Sequence, residues 1–74
     1  MNEPAQRALA LLEELMDQPI SSGSTLVEID VDSLTLLEWV FAIEQELDVA
    51  LDEDKVESIS PDAPVELVIA ALIA

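Results

Sequence analysis

Asp30-Val31-Asp32-Ser33-Leu34-Thr35-Leu36-Leu37-Glu38-Trp39-Val40-Phe41-Ala42-Ile43-Glu44-Gln45-Glu46-Leu47 contains the change of pattern on which the fold turns. From Ser33 onward, Leu36, Trp39, Val40, Ile43 and Leu47 recur at steps of three and four, the spacing that gathers apolar side chains on one face of an α-helix. Asp32 stands directly ahead of them, and an aspartate there accepts backbone N–H groups that a helix start leaves without partners. The pattern predicts a helix over 33–47 with those apolar residues toward a core. Leu34, Leu37, Glu38, Phe41, Glu44, Gln45 and Asp48 fall on the other side, where apolar groups mix with acids. Trp39 reads as core, because a single aromatic on an apolar stripe is far more often packed than engaged with a ligand.

Working outward, Pro4 is followed by Ala5, Ala8, Leu9, Leu12 and Met16 at helical spacing, with Leu11 and Leu15 widening the stripe and Glu3, Arg7, Glu13 and Glu14 off it. A first amphipathic helix over 4–16 is expected. Asp17 to Asp32 then holds Pro19, Ser21, Ser22, Gly23, Ser24 and Thr25, which favour turns, before Leu26, Val27, Ile29 and Val31. A short strand over 26–31 would have nothing to pair with, so the segment reads as a long loop with Leu26 and Ile29 tucked onto the core. So long a connection in so small a domain calls for a functional reason. Downstream, Asp52-Glu53-Asp54 ahead of Val56 and Ile59 suits a short helix over 52–57. A last helix starting at Ala63 or Pro64, with Asp62 as its cap, would run through Val65, Leu67, Val68, Ala71 and Leu72. The sum is an all-α fold, a four-helix bundle with one long connection, in a single domain over 1–74.

Composition narrows the chemistry. A chain of 74 residues buries only about 60% of its unfolded surface, so an enclosed active-site cavity is not expected. There is no Cys and no His, which removes disulfides, thiolate ligands and the commonest general base. Seventeen acidic residues stand against Arg7 and Lys55, a net charge of -15 that repels nucleic acid and anionic membranes and attracts basic partners through weak, salt-sensitive complexes. A hydrophobic fraction of 51% separates the chain from disordered acidic proteins. The start, Met1-Asn2-Glu3-Pro4, lacks a signal-peptide pattern, and no stretch reaches the roughly 18 apolar residues needed to span a membrane, so a soluble, cytoplasmic protein is the expectation, and it is expected to be a monomer.

Specific constellations are few. Asp30-Val31-Asp32-Ser33 resembles the opening of a calcium loop, but its sixth position would be Thr35 instead of Gly and its twelfth Phe41 instead of a bidentate Glu. No metal site is expected. A Ser-His-Asp triad is excluded for want of His, and a Ser-Lys pair would have to use the only lysine across a crowded acidic surface. Nothing places two carboxylates in a sheltered pocket for acid and base catalysis, so no catalytic residue is expected and the acids read as a solvated face. Ser33 beside Asp32 is ordinary capping chemistry taken alone. It gains weight because it follows the long loop, opens an amphipathic helix and belongs to a very acidic chain.

Val27-Glu28-Ile29-Asp30-Val31-Asp32-Ser33-Leu34, running into Leu36-Leu37-Glu38-Trp39-Val40-Phe41-Ala42-Ile43-Glu44-Gln45-Glu46-Leu47, resembles the modification loop and second helix of acyl carrier proteins. The short acidic segment Asp52-Glu53-Asp54-Lys55-Val56-Glu57-Ser58-Ile59 resembles their third helix, and the likeness runs over nearly the whole chain. The resemblance implies that Ser33, in a motif with Asp32, receives a covalent 4'-phosphopantetheine arm. The donor would be coenzyme A and the catalyst a phosphopantetheinyl transferase that supplies a divalent cation. It implies a carrier and not an enzyme, delivering thioester-bound acyl groups to acyl-loading and acyl-processing enzymes with basic docking surfaces, in fatty-acid, polyketide or lipopeptide biosynthesis. Leu34, Leu37, Glu38, Phe41 and Glu44 are the docking candidates, the acids by resemblance. For Leu37 and Phe41, packing against the long loop stays open beside docking. The chain departs from the family in carrying Asp30 where a Gly three residues before the serine is usual, and Ala50-Leu51 where many members have a Pro. Aspartate tolerates left-handed backbone angles better than most residues, which suits the first departure. An aminoacyl or peptidyl carrier with the same arm, and an unmodified acidic adaptor in which Ser33 is only part of a cap, are the competing readings.

Overall fold

Each of the first three helices begins on a short polar side chain one residue ahead of it. Asn2 Oδ1 accepts the Ala5 N–H at 3.0 Å, Asp32 Oδ1 the Thr35 N–H at 2.7 Å and Asp52 Oδ1 the Asp54 N–H at 3.0 Å. These caps open α1 (Glu3–Met16), α2 (Ser33–Leu47) and α3 (Glu53–Glu57) in a computed structural model that describes residues 2–73. The fourth helix, α4 (Val65–Ile73), starts differently. Asp62 does not cap it. Pro64, which has no N–H to donate, sits opposite Thr25 in an isolated antiparallel bridge. The Val65 N–H donates to Ser24 O at 2.7 Å and the Glu66 N–H to Ser22 O at 3.0 Å, so backbone carbonyls of the long loop satisfy the helix start.

The first two helices also share an ending. Asp17 after α1 and Asp48 after α2 both adopt the left-handed conformation at φ 54°. The next N–H folds back in each case, Gln18 to Glu13 O at 3.3 Å and Val49 to Glu44 O at 3.1 Å. A glutamate four residues before each aspartate then holds the departing chain. Glu13 Oε2 accepts the Ile20 N–H at 2.9 Å and Glu44 Oε2 accepts the Leu51 N–H at 3.0 Å.

Ala5, Ala8 and Leu12 of α1, Trp39, Val40 and Ile43 of α2, and Val65, Val68, Ile69 and Leu72 of α4 are buried. Fully burying a side chain such as Leu12 or Ile43 contributes about 1.5–3 kcal/mol before the entropy cost of folding. The alanines on α1 let a large group approach. Trp39 is fully buried, and its indole N–H donates to Ala8 O at 2.9 Å. Arg7, near the start of α1, pairs with Glu46, near the end of α2, at 3.2 Å, so the two helices run antiparallel. That exposed pair contributes at most about 1 kcal/mol. α4 packs on α1 and α3 on α4. No residue of α3 is buried, and Val56 with Ile59 just beyond it makes its contact with the core.

The expected loop is a loop, with Leu26 buried and Ile29 half-buried against the core as anticipated. Ile20 is buried too. The chain from Thr25 makes one helical turn in place of a strand, and the Val27 N–H reaches Pro61 O at 3.2 Å.

A candidate attachment site at the start of the second helix

Ser33 is the first residue of α2 and is exposed, and no hydrogen bond engages its hydroxyl among the described residues. Two local devices fix where it lies. Thr25 Oγ1 accepts the Glu28 N–H at 3.1 Å and donates to Glu28 Oε1 at 3.3 Å, opening the turn ahead of the helix. Asp30 closes that turn at φ 60°, with the Val31 N–H returning to Leu26 O at 3.0 Å. Asp30 therefore occupies the left-handed region in which glycine is at ease, and the one glycine of the chain, Gly23, does not. Thr25-x-x-Glu28 is readable as a capping pattern, and it went unused in the sequence reading above.

Asp32 is also exposed, and its carboxylate is committed to α2. The hydrogen bond from the Thr35 backbone N–H holds its carboxyl below the usual carboxylate range, with a smaller contribution from the Thr35 side chain. Beside Ser33 and Asp32 opens a cleft of about 280 Å³ lined by Leu26, Val31, Leu36, Val56, Ile59 and Pro61, with Glu57 the other polar residue. Loop, α2 and the α3 region each contribute to that apolar lining.

Four of the docking candidates, Leu34, Leu37, Glu38 and Phe41, lie exposed on the outer side of α2. Glu44 differs, being half-buried with its carboxylate engaged by Leu51. Among the described residues no group of carboxylates is arranged to hold a metal ion. None of the helices is long and apolar enough to cross a membrane.

A phosphopantetheine arm needs an exposed hydroxyl for the ester bond and surroundings that accept a phosphodiester. The residues here fit. The Ser33 hydroxyl is accessible and unengaged, and the positive end of α2, with an N–H at Ser33 that has no intrahelical partner, favours an anion there. The adjoining cleft has a mostly apolar lining. No curated protein and no solved structure matches the chain. A family model described as a phosphopantetheine attachment site does match, over residues 6–66. Running from the first helix into the last, across the loop and the exposed serine, that match makes the chain a member of the phosphopantetheine attachment site family, whose members are non-catalytic carriers of covalently bound 4'-phosphopantetheine.

Proposed function

We propose that residues 1–74 form one acyl carrier domain with Ser33 as the attachment residue. The observation that carries this is the Ser33 hydroxyl, exposed and unengaged at the first position of α2, beside an apolar cleft. In the loading step Ser33 Oγ attacks the phosphorus of coenzyme A that bears pantetheine. A phosphoester bond forms, the anhydride bond to adenosine 3',5'-bisphosphate breaks, and the hydroxyl proton passes to a base on the transferase. Once bound, the group supplies a terminal thiol on which an acyl chain is held as a thioester.

This chain's own residues hold the serine in place and recruit the enzymes. Asp32 caps α2 and keeps its first turn formed, so the hydroxyl is presented from an ordered backbone. The phosphodiester charge sits at the helix start, where the macrodipole favours it, while the Asp32 carboxylate opposes it. Leu26, Val31, Leu36, Val56 and Ile59 favour an apolar cargo over a charged aminoacyl group. The net charge of -15 speeds encounter with basic partner enzymes of fatty-acid, polyketide or lipopeptide assembly. Leu34, Leu37, Glu38 and Phe41 are the proposed docking residues, and the proposed compartment is the cytoplasm.

The deciding test is intact mass before and after incubation with coenzyme A, magnesium and a broad-specificity phosphopantetheinyl transferase, with Ser33→Ala alongside. The expected result is a gain of one phosphopantetheine group in the wild-type chain and none in the variant. A gain that survives in Ser33→Ala would refute Ser33 as the attachment residue. Acyl loading of the holo form, with no loading by adenylating enzymes that activate amino acids, separates the acyl carrier from its aminoacyl counterpart.

A further inference from the structure

Two apolar openings lie at opposite ends of the core stripe of α2. The cleft of about 280 Å³ beside Ser33 takes one residue from that stripe, Leu36. The other opening, of about 370 Å³, takes Leu47 from it, with Pro4, Leu51, Leu72 and Ile73 among its other walls. Leu36 and Leu47 stand about 16 Å apart along the axis at about 1.5 Å per residue. A hollow between them would join the two openings into one channel through the bundle. They stay separate, because Trp39, Val40 and Ile43 occupy the stripe between them and line neither opening.

Trp39 is the plug. It is the largest of the fully buried side chains. Its indole N–H donates to Ala8 O at 2.9 Å, a bond across to α1 that fixes the ring. Swinging the ring aside would orphan that N–H in the core, since an indole donates and cannot accept. Leu36 precedes Trp39 by about one turn on the same face, so an apolar group that follows the stripe inward from the cleft meets the ring about 4.5 Å beyond Leu36.

The volume in front of the ring limits what fits. At about 30 Å³ for a water-sized group, the cleft of about 280 Å³ holds at most roughly nine such groups. The sulfur, carbon and oxygen of a thioester take about three of them, which leaves room for about six carbons. Resting on Ser33 as the attachment residue, we propose that Trp39 sets the cargo length of this carrier. Acyl groups up to about octanoyl are sheltered in the cleft together with their thioester, whereas the methylenes of longer chains stop at the indole and stay in water. The cargo class is then a short to medium acyl group, and its limit is fixed by a residue that no partner enzyme touches.

The test loads butyryl, hexanoyl, octanoyl, decanoyl and dodecanoyl arms onto Ser33 in one step, from the matching acyl-coenzyme A with a broad-specificity phosphopantetheinyl transferase, and checks each by intact mass. The readout is the rate at which hydroxylamine cleaves the thioester, relative to the same acyl-pantetheine free in solution. In the wild-type chain protection should rise by up to about fourfold for each methylene buried, then level off near octanoyl. Trp39→Leu frees room for roughly two more water-sized groups, so its protection should go on rising to decanoyl. Trp39→Phe keeps a ring in place and should level off within a methylene of wild type. A variant that merely loosened the fold would lower protection at every length and leave the levelling point where it is. Wild-type protection that still rises from decanoyl to dodecanoyl would overturn the proposal, and so would protection that is flat at all lengths or a levelling point unmoved in a folded Trp39→Leu chain. If Trp39→Leu does not fold, the wild-type series decides by itself. A mass gain that persists in Ser33→Ala, or no gain in the wild-type chain, removes the attachment reading and this proposal with it, and that failure shows in the mass before any cleavage is measured.

Discussion

Replacing Glu44 by alanine should weaken the fold and leave docking alone, although the position lies among acids that resemble a recognition set. Its Oε2 accepts the half-buried Leu51 N–H at 3.0 Å, tying the chain that leaves α2 back onto the helix. A hydrogen bond to a charged acceptor contributes about 1.5–3 kcal/mol, and its removal orphans the donor. Two effects offset part of that loss. Alanine is the better helix former by a few tenths of a kcal/mol, and deleting a carboxylate from a helix C-terminus returns about 0.3–1 kcal/mol. The net cost of Glu44→Ala is then about 1 kcal/mol. Glu44→Gln loses the same charge but keeps an acceptor oxygen, so the difference between the two variants isolates the hydrogen bond. At this chain length about 1 kcal/mol corresponds to a Tm difference of about 4–8 °C. Between the two variants the charge effects cancel and the bond to the neutral amide oxygen contributes about 0.5–1.5 kcal/mol, so thermal circular dichroism should place alanine several degrees below glutamine, and amide exchange should show the Leu51 N–H protected in glutamine and unprotected in alanine. Equal Tm values for the two variants, or unchanged Leu51 protection, would refute the reasoning. Below either Tm the KM for phosphopantetheine transfer should match wild type, and a raised KM in a fully folded Glu44→Ala chain would return the residue to the docking surface.

Two further predictions concern the approach to Ser33. Asp30 sits at φ 60°, where a Cβ costs about 1 kcal/mol that glycine avoids; Asp30→Gly should therefore melt above Asp30→Ala by several degrees, and because both remove the same charge, equal melting would show that the left-handed angle carries no cost. Asp32 has its carboxyl pKa lowered chiefly by the Thr35 N–H. The sign follows: the contribution is fully present above the ordinary carboxylate pKa, about 3.9, and is lost as pH falls through the lower folded value. The stability gap between wild type and Asp32→Ala should be constant near neutrality and close in acid. The gap between Asp32→Asn and Asp32→Ala should not close in that way, because the asparagine oxygen caps without titrating, and a pH-independent wild-type gap would count against the cap.

What was legible in the sequence was whatever side chains alone encode. The period of three and four over Leu36, Trp39, Val40 and Ile43 located α2, Asp32 announced its cap, and the acids Asp52-Glu53-Asp54 announced the start of α3. The start of α4 was displaced because its cap is made of the carbonyls of Ser22 and Ser24, and any residue offers a carbonyl. Its sequence, Val-Glu-Leu-Val-Ile-Ala-Ala-Leu-Ile, has almost no polar face, so the pattern did not distinguish buried Ile69 from exposed Leu67 and Ala71. Glu13 and Glu44 read as surface acids because the amides they bind are seven residues away. The paired spacing of glutamate, aspartate four residues on and an apolar residue three beyond becomes a signal only once one example has been seen folded. The place of Ser33, exposed at the first position of α2, was legible from its setting. The hydrogen bond of Glu44 was not legible, because composition records its charge and not the amide its carboxylate accepts.

The length of the first loop then has a physical explanation. α1 and α2 are antiparallel neighbours, which a connection of about 2–8 residues can join, yet residues 17–32 separate them. The surplus is used twice. Its middle satisfies the first amides of α4 and buries Ile20 and Leu26. Its end, from Thr25 through Asp30, forms a capped turn that delivers Asp32 and Ser33 to the start of α2. An exposed serine on a short free loop would sample many orientations, each reducing the fraction ready to react. Here the hydroxyl is exposed while the backbone on both sides is held, by α2 after it and by the loop's hold on α4 before it. Loosening the Ser22 and Ser24 contacts with α4 should therefore slow modification at Ser33 without altering any residue that touches it.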